Sequence, residues 1–290
     1  MPPKAACLLA QCRGKTQTKD VRFARMVTSR TAHCSAWQIP ARWLMDSFLI
    51  AVTIGTFLLA GLVKGVIGMG LPSIAIALLA LVVTPAQAAA LMIIPTIVTN
   101  VWQMLIGRYL VALLRRMWSL IVFSVAGIWL GGGILTSENS KIAACGLGIA
   151  LVIYSAVGLF KVRFSVARRH EYWLSPIIGL LTGVIAGATG VFAVPAGPYY
   201  QAIGLEKDEL VQMLGLSFTV GAAALALILW RDGVMQLGNA TGSALAVLPA
   251  LAGMAVGQRI RLFASPEIFR RCFFIGLLVL GLQQALRNMF

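Results

Sequence analysis

The sequence predicts an all-α polytopic membrane protein with about eight transmembrane helices, and three observations carry this prediction. Hydrophobic residues make up 59% of the 290 residues and charged residues only 11%, whereas a soluble domain carries roughly 25% charged residues. Apolar runs long enough to cross a bilayer recur along the chain. The second half of the chain also repeats the first. We therefore expect two tandem four-helix repeats, with the first helix of each repeat broken.

The positions of the basic residues indicate whether the protein contacts nucleic acid or a lipid bilayer. The formal net charge is +15, but Lys and Arg lie in an N-terminal tail and in short loops between apolar runs, as in membrane proteins. This distribution excludes nucleic acid and indicates a lipid bilayer. The basic tail, residues 1–44, fits a disordered cytoplasmic segment, a transit-like peptide, or a start assigned too early, because "MDSFLIAV" from Met45 reads as a natural beginning.

Ten apolar runs follow the tail, each bounded by charges or turn residues. They cover residues 47–67, 72–83, 86–106, 117–135, 142–160, 173–186, 193–204, 210–230, 240–258 and 268–286. Most of them suffice for a crossing, which takes about 20 helical residues. The runs 72–83 and 193–204 do not, because 12 residues rise only about 18 Å in a helix.

The two short runs leave two topologies open. Each run is either a full crossing, which gives five spans per half and inverted halves, or the second piece of a broken helix, which gives four spans per half and parallel halves. With the tail taken as cytoplasmic, loop charge favours four spans per half, in repeats over residues 45–162 and 173–287. The four arginines of residues 259–271 conflict with this choice, because they fall on the outer side.

Three pairs of similar segments predict the duplication. They are "GLVKGVIGMG" (61–70) with "GLLTGVIAGA" (179–188), "MLIGR" (104–108) with "ALILWR" (226–231), and "AGIWLGGGI" (126–134) with "AGMAVGQRI" (252–260). The pairs keep their order along the chain. In this alignment the counterpart of Lys64 is Thr182.

Glycine and proline interrupt an apolar stretch at corresponding places in the two halves. The first interruption is "GVIGMGLP", and the second is "GATGVFAVPAGP". Paired interruptions of this kind point to the binding site of a transporter, because irregular backbone inside a membrane is tolerated where it lines a cavity. The predicted site comprises Lys64, Gly65, Gly68, Gly70, Pro72, Thr96, Asn100, Gly187, Thr189, Gly190, Pro195, Ser217 and Thr219.

The residue types at this site predict a small anion as the substrate. A half-helix starting near Pro72 would direct its N–H groups at the break. Lys64 is the only charged residue between Ser47 and Ile106, and no Asp or Glu falls inside an apolar run. Three alternatives stay open: Lys64 reaches the lipid headgroups, the glycines serve close helix packing, and the hydroxyls bond to helix carbonyls.

Enzyme chemistry and metal binding lack their usual residues. The five cysteines form no CxxC pair and have no histidine partner at zinc spacing. Both histidines, His33 and His170, lie in polar segments, and a membrane enzyme needs buried acids, histidines or a Ser–His pair. We expect no catalysis, no metal and no cofactor.

The glycine-rich interruptions and the "AGMAVGQRI" segment resemble the sulfite exporter TauE/SafE family, also called toluenesulfonate uptake permeases. The resemblance covers roughly residues 45–287, twice over. It implies a permease that moves small anions, sulfite or organosulfonates among them, through the plasma membrane, here the bacterial inner membrane. A passive anion channel or a membrane assembly factor is the alternative. A homo-oligomer stays open.

Overall fold

A computed structural model describes residues 41–136, 140–160, 165–235, 237–263 and 266–289. The chain divides into two units, Met1–Phe48 and Leu49–Phe290. Of the first unit only residues 41–48 are described, and they open the first helix. The predicted tail, residues 1–44, therefore lies outside the described residues except for its last four.

All regular structure in the described ranges is helical. The helices are α1 (Ala41–Ile67), α2 (Leu71–Leu79), α3 (Pro85–Ile106), α4 (Leu110–Leu135), α5 (Ser140–Phe160), α6 (Arg168–Thr189), α7 (Ala196–Ala202), α8 (Lys207–Arg231), α9 (Leu237–Leu245), α10 (Val247–Ile260) and α11 (Pro266–Met289). Eight segments are long and apolar enough to cross a membrane, with α9 and α10 together supplying one of them. The predicted class and number of spans are confirmed.

Glycines end the two helices at the predicted interruptions. Gly68 closes α1 with a φ of 89°, and Gly190 closes α6 with a φ of 74°. Residues with a Cβ rarely adopt this left-handed conformation, so glycine fits both positions. After the first break, Gly70 again has a positive φ, and Pro72 lies in the first turn of α2, where its missing N–H leaves no bond unmade.

Two pairs of helices pack in parallel through glycines. In the α1–α10 pair, a Cβ on Gly61 would lie 2.1 Å from the carbonyl oxygen of Ala250, and one on Gly65 would lie 2.3 Å from that of Met254. In the α4–α6 pair, a Cβ on Gly183 would lie 2.1 Å from the carbonyl oxygen of Ser124. These glycines therefore serve close backbone packing, as small residues do in membrane helices.

The packing contacts do not fit two of the predicted segment pairings at once. If residues 126–134 correspond to residues 252–260, as predicted, Ala250 corresponds to Ser124, and the contacts then relate Gly61 to Gly183 and not to Gly179. The shift is one helical turn. It makes Ala186, and not Thr182, the counterpart of Lys64. The duplication itself stays a prediction.

The chain reverses direction after α1. Because α11 follows α10 after only five residues, it runs opposite to α10 and therefore opposite to α1. α2 lies alongside α11: Gly70 packs against the Phe273 ring, and the Gln284 amide donates to the Ala80 carbonyl at 3.4 Å. α2 therefore returns toward the end of the bundle where α1 begins.

The chain reverses again after α6. The hydroxyls of Tyr199 and Ser175 lie 2.8 Å apart, and the N–H of Val166, just before α6, donates to the carbonyl of Ala202 at 2.9 Å. α7 therefore runs back along α6. Neither α2, with nine residues, nor α7, with seven, spans the roughly 30 Å hydrocarbon core alone, so the residues that follow each helix complete the return.

The two halves therefore run in opposite directions. α6 is parallel to α4, and α4 runs opposite to α3 because only three residues separate them. α3 is parallel to α1, since Lys64 near the end of α1 bonds Asn100 near the end of α3. The preferred parallel arrangement of the halves does not fit these contacts, whereas the inverted arrangement does. The eight full-length spans stand, because the short helices α2 and α7 supply the additional returns.

Inversion places most basic residues at one end of the bundle, where α1 and α3 finish, which we name the basic end. Among the described residues it holds Arg108, Arg115, Arg116, Arg168, Arg169, Lys207, Arg259, Arg261, Arg270 and Arg271. The opposite end holds Lys141, Arg231 and Arg287. The conflict over residues 259–271 disappears, because it came from counting each interrupted helix as a single crossing.

Candidate functional site

Lys64 lies inside the helix bundle, one turn before α1 ends. Its side chain is 4% exposed, and its Nζ donates to Thr99 Oγ1 at 3.1 Å and to Asn100 Oδ1. Both partners belong to α3. This position does not fit the alternative in which the lysine reaches the lipid headgroups.

α3 presents a polar face to Lys64 through residues at helical spacing. Thr96, Thr99 and Asn100 are all buried, although most residues of α3 are apolar. Thr99 donates its own hydroxyl to the carbonyl of Pro95 at 2.7 Å, so its oxygen is free to accept from the lysine. Among the described residues, Thr96 Oγ1 and Asn100 Nδ2 have no hydrogen-bond partner.

Unpaired polar groups in a buried position cost free energy, about 1–3 kcal/mol each. Here two of them, Thr96 Oγ1 and Asn100 Nδ2, belong to the α3 face that also carries the partners of Lys64. The amide Nδ2 can only donate, and the hydroxyl can donate. The cluster therefore offers hydrogen-bond donors beside a lysine amine, which is the chemistry that holds an oxyanion.

A cavity of about 160 Å³ lies beside this cluster. Its walls come from the ends of α1, α3 and α10 and from the start of α8. The lining residues that carry polar or charged side chains are Lys64, Thr99, Trp102, Gln103, Gln258 and Arg261. Arg261 is half-buried just after α10, so the cavity has positive groups and no carboxylate among the described residues that line it.

Two glutamines hold the α3 and α8 walls of the cavity together. Gln103 Nε2 donates to the carbonyl of Val211, and Gln212 Nε2 donates to that of Met104, both at 2.7 Å. Gln212 Oε1 also accepts from the N–H of Tyr109 at 2.9 Å. These bonds fix the end of α3, and with it the positions of the lysine's partners.

The structure gathers only part of the predicted site. Gly65 and Gly68 line the cavity with Lys64. Asn100 accepts a hydrogen bond from the lysine but, like Thr96 one turn before it, is not among the residues that line the cavity. Gly70 is covered by the Phe273 ring, and neither it nor Pro72 is among the residues that line this cavity. The first turn of α2 therefore supplies no N–H groups here, contrary to the expectation.

The predicted site residues of the second half lie away from this cavity. Thr189 donates to the carbonyl of Ile185 at 2.6 Å, and Thr219 donates to that of Gly215 at 2.7 Å. Ser217 pairs with the hydroxyl of Tyr200 at 2.6 Å. The two threonines thus follow the alternative of bonding to carbonyls of their own helix.

The backbone positions of the second interruption are also used in packing. Gly187 packs against the backbone of Ile128, and Gly190 faces the side chains of Ile76 and Met92. Pro195 follows a cis peptide bond just before α7. None of these residues lines the cavity beside Lys64, so the two interruptions do not meet there.

The second half of the chain has a smaller counterpart of this cavity. It holds only about 10 Å³ and is lined by Ala186 and Ser217, among others. In the register of the glycine contacts Ala186 stands where Lys64 stands in the first half. Aligning the starts of α3 and α8 gives the same offset and pairs Thr99 and Asn100 with Gly221 and Ala222, and Gly221 lines the smaller cavity. In this alignment neither the lysine nor its two partners have a polar counterpart in the second half.

The comparison with protein families agrees with a helical membrane bundle. The model of the family described as Sulfite exporter TauE/SafE matches residues 53–283, most of the chain. The chain belongs to the TauE/SafE family. This TauE/SafE protein is accordingly a multi-pass membrane protein of a transporter family. No curated protein and no solved structure matches the chain.

Proposed function

We propose that this TauE/SafE protein is a permease that carries a small oxyanion, sulfite, an organosulfonate or a related anion, across the bacterial inner membrane. The observation that carries the proposal is the buried Lys64 amine, which lies beside the unpaired Thr96 hydroxyl and Asn100 amide. No carboxylate occurs among the described residues that line the cavity. An ammonium buried without a counter-charge costs several kcal/mol. An anion in the cavity supplies that charge and accepts hydrogen bonds.

The mouth of the cavity favours the same class of ligand. Arg261 lines the cavity, and further arginines, Arg108, Arg259, Arg270 and Arg271, lie at the same end of the bundle. A positive potential over a cleft raises the local concentration of anions and their rate of association. By the positive-inside rule the basic end faces the cytoplasm, so the cavity would open to the cytoplasm.

Thermal stability of the purified protein in detergent tests this proposal. We expect sulfite, sulfate and methanesulfonate to raise the melting temperature beyond potassium chloride of equal ionic strength. A ligand at ten times its Kd stabilises the folded state by about 1.4 kcal/mol. A panel in which no sulfur oxyanion acts beyond chloride would contradict the proposal. Saturable flux with counter-transport would then separate a carrier from a passive channel.

A further inference from the structure

We propose that each anion binds together with one proton, and that Lys64 is the group that takes up this proton. The inference rests on the proposed function, because it concerns the same cavity. It assigns the coupling ion, which the fold and the family leave open. Three observations support it: the number of acceptors around the amine, the charges that face the cavity, and the apolar residues at the corresponding positions of the second half.

The amine of Lys64 has two acceptors and one free direction. Two of its N–H groups go to Thr99 Oγ1 and Asn100 Oδ1, and both oxygens belong to neutral side chains. A neutral amine has two N–H groups and one lone pair, so these two bonds satisfy its hydrogens. A third N–H exists only in the ammonium form.

Within the part of the chain that the structure describes, no carboxylate lines the cavity beside the amine. The wall from α1 supplies only Lys64 itself, the wall from α3 supplies neutral residues, and Arg261 after α10 adds a positive charge. α8 carries Asp208 and Glu209 in its first turn, but neither lines the cavity. An ammonium here would be buried without a counter-charge and near a like charge, which is unfavourable.

Binding of the anion therefore requires binding of the proton, and the reverse also holds. The empty site holds R–NH₂, and the occupied site holds R–NH₃⁺ beside the anion A⁻. The proton comes from the aqueous side and bonds to the nitrogen lone pair, and it leaves again when the anion leaves. A monovalent anion then moves without net charge, and by linkage each of the two ligands strengthens the binding of the other.

The second half offers no second group of this kind. At the offset that pairs Lys64 with Ala186, Gly221 and Ala222 correspond to Thr99 and Asn100. The hydroxyls of Ser217 and Thr219 already have partners. One chain therefore couples one proton to one anion.

Methanesulfonate is a suitable probe, because it is the anion of a strong acid and carries no proton itself. We expect its Kd, measured with the purified protein between pH 6 and pH 9, to rise with pH and to approach about tenfold per pH unit. In proteoliposomes, a methanesulfonate gradient alone should drive protons inward with the anion, one for one.

Two variants test whether Lys64 is the group that takes up the proton. Lys64→Arg keeps a positive charge that does not dissociate, so binding should lose its pH dependence and proton uptake should stop. Lys141→Arg, the same exchange at an exposed lysine at the start of α5, should keep both. If Lys64→Arg does not fold, proton uptake by the wild-type protein remains the decisive measurement.

Other outcomes overturn either the proton coupling alone or the proposed permease function on which it rests. Methanesulfonate transport without proton movement and with a constant Kd would remove the coupling and leave the permease intact. An unchanged pH dependence in folded Lys64→Arg would place the proton on another group. Absence of methanesulfonate binding at every pH would overturn the proposed function, and this inference with it.

Discussion

Replacing Lys64 with methionine is expected to reduce anion flux in proteoliposomes on the order of a hundredfold. Methionine keeps the length of the side chain and removes its charge. Truncating one partner of a buried charge pair costs about 2–5 kcal/mol, and each 1.4 kcal/mol corresponds to about tenfold in affinity. Flux of the best stabilising sulfur oxyanion should be measured at equal amounts of inserted protein.

The stability of the same variant separates a binding role from a structural one. The empty site buries the Lys64 amine among neutral groups. A buried amine without a counter-charge costs free energy whether it keeps its proton or gives it up, so Lys64→Met should melt at or above the wild-type temperature when no anion is present. Lys141→Met removes an exposed lysine and should leave flux unchanged. Normal flux in a folded Lys64→Met variant would exclude this lysine from the anion site.

Adding a methyl group at the glycine contacts should produce the largest loss of stability. In Gly61→Ala the new Cβ would lie 2.1 Å from the carbonyl oxygen of Ala250, and in Gly127→Ala it would lie 2.3 Å from that of Leu180. Overpacking typically costs about 1–3 kcal/mol. We expect the upper part of this range, because the contacted atoms are backbone and no side chain can rotate away.

Each glycine variant has a matched control in its own helix. A Cβ on Gly55 of α1 or on Gly133 of α4 would have no neighbour within 4 Å. Gly55→Ala and Gly133→Ala should therefore melt at the wild-type temperature or above it, since alanine favours a helix over glycine. Equal melting temperatures for all four variants in detergent would contradict the parallel pairs α1–α10 and α4–α6.

The sequence was sufficient for those features that depend on local composition. Apolar length gave the eight spans, and the glycines and proline of residues 68–72 located the first interruption, because these residue types act on the backbone where they stand. The lysine within an apolar helix was identifiable for the same reason. Its partner Thr99 was not among the predicted site residues, although Thr96 and Asn100 on the same face were.

The direction of the chain after each interruption and the register between the two halves could not be predicted from the sequence, for physical reasons. A helix that ends at a glycine can continue or reverse, and only packing of α2 against α11 decides which. The register failed by one turn because Gly179, Gly183 and Gly187 recur every four residues, so that neighbouring alignments look alike. The buried Glu171 was also missed: its partner Arg116, at 2.6 Å, is 55 positions away in the chain.

Crystallographic location of a bound anion tests the central claim most directly. Bromomethanesulfonate combines the sulfonate group with a bromine whose anomalous scattering marks its position. We expect the bromine signal inside the cavity between α1, α3, α8 and α10, with a sulfonate oxygen within about 3 Å of Lys64 Nζ. A signal only at the smaller cavity beside Ala186 and Ser217, or only on the arginines of the basic end, would contradict the account.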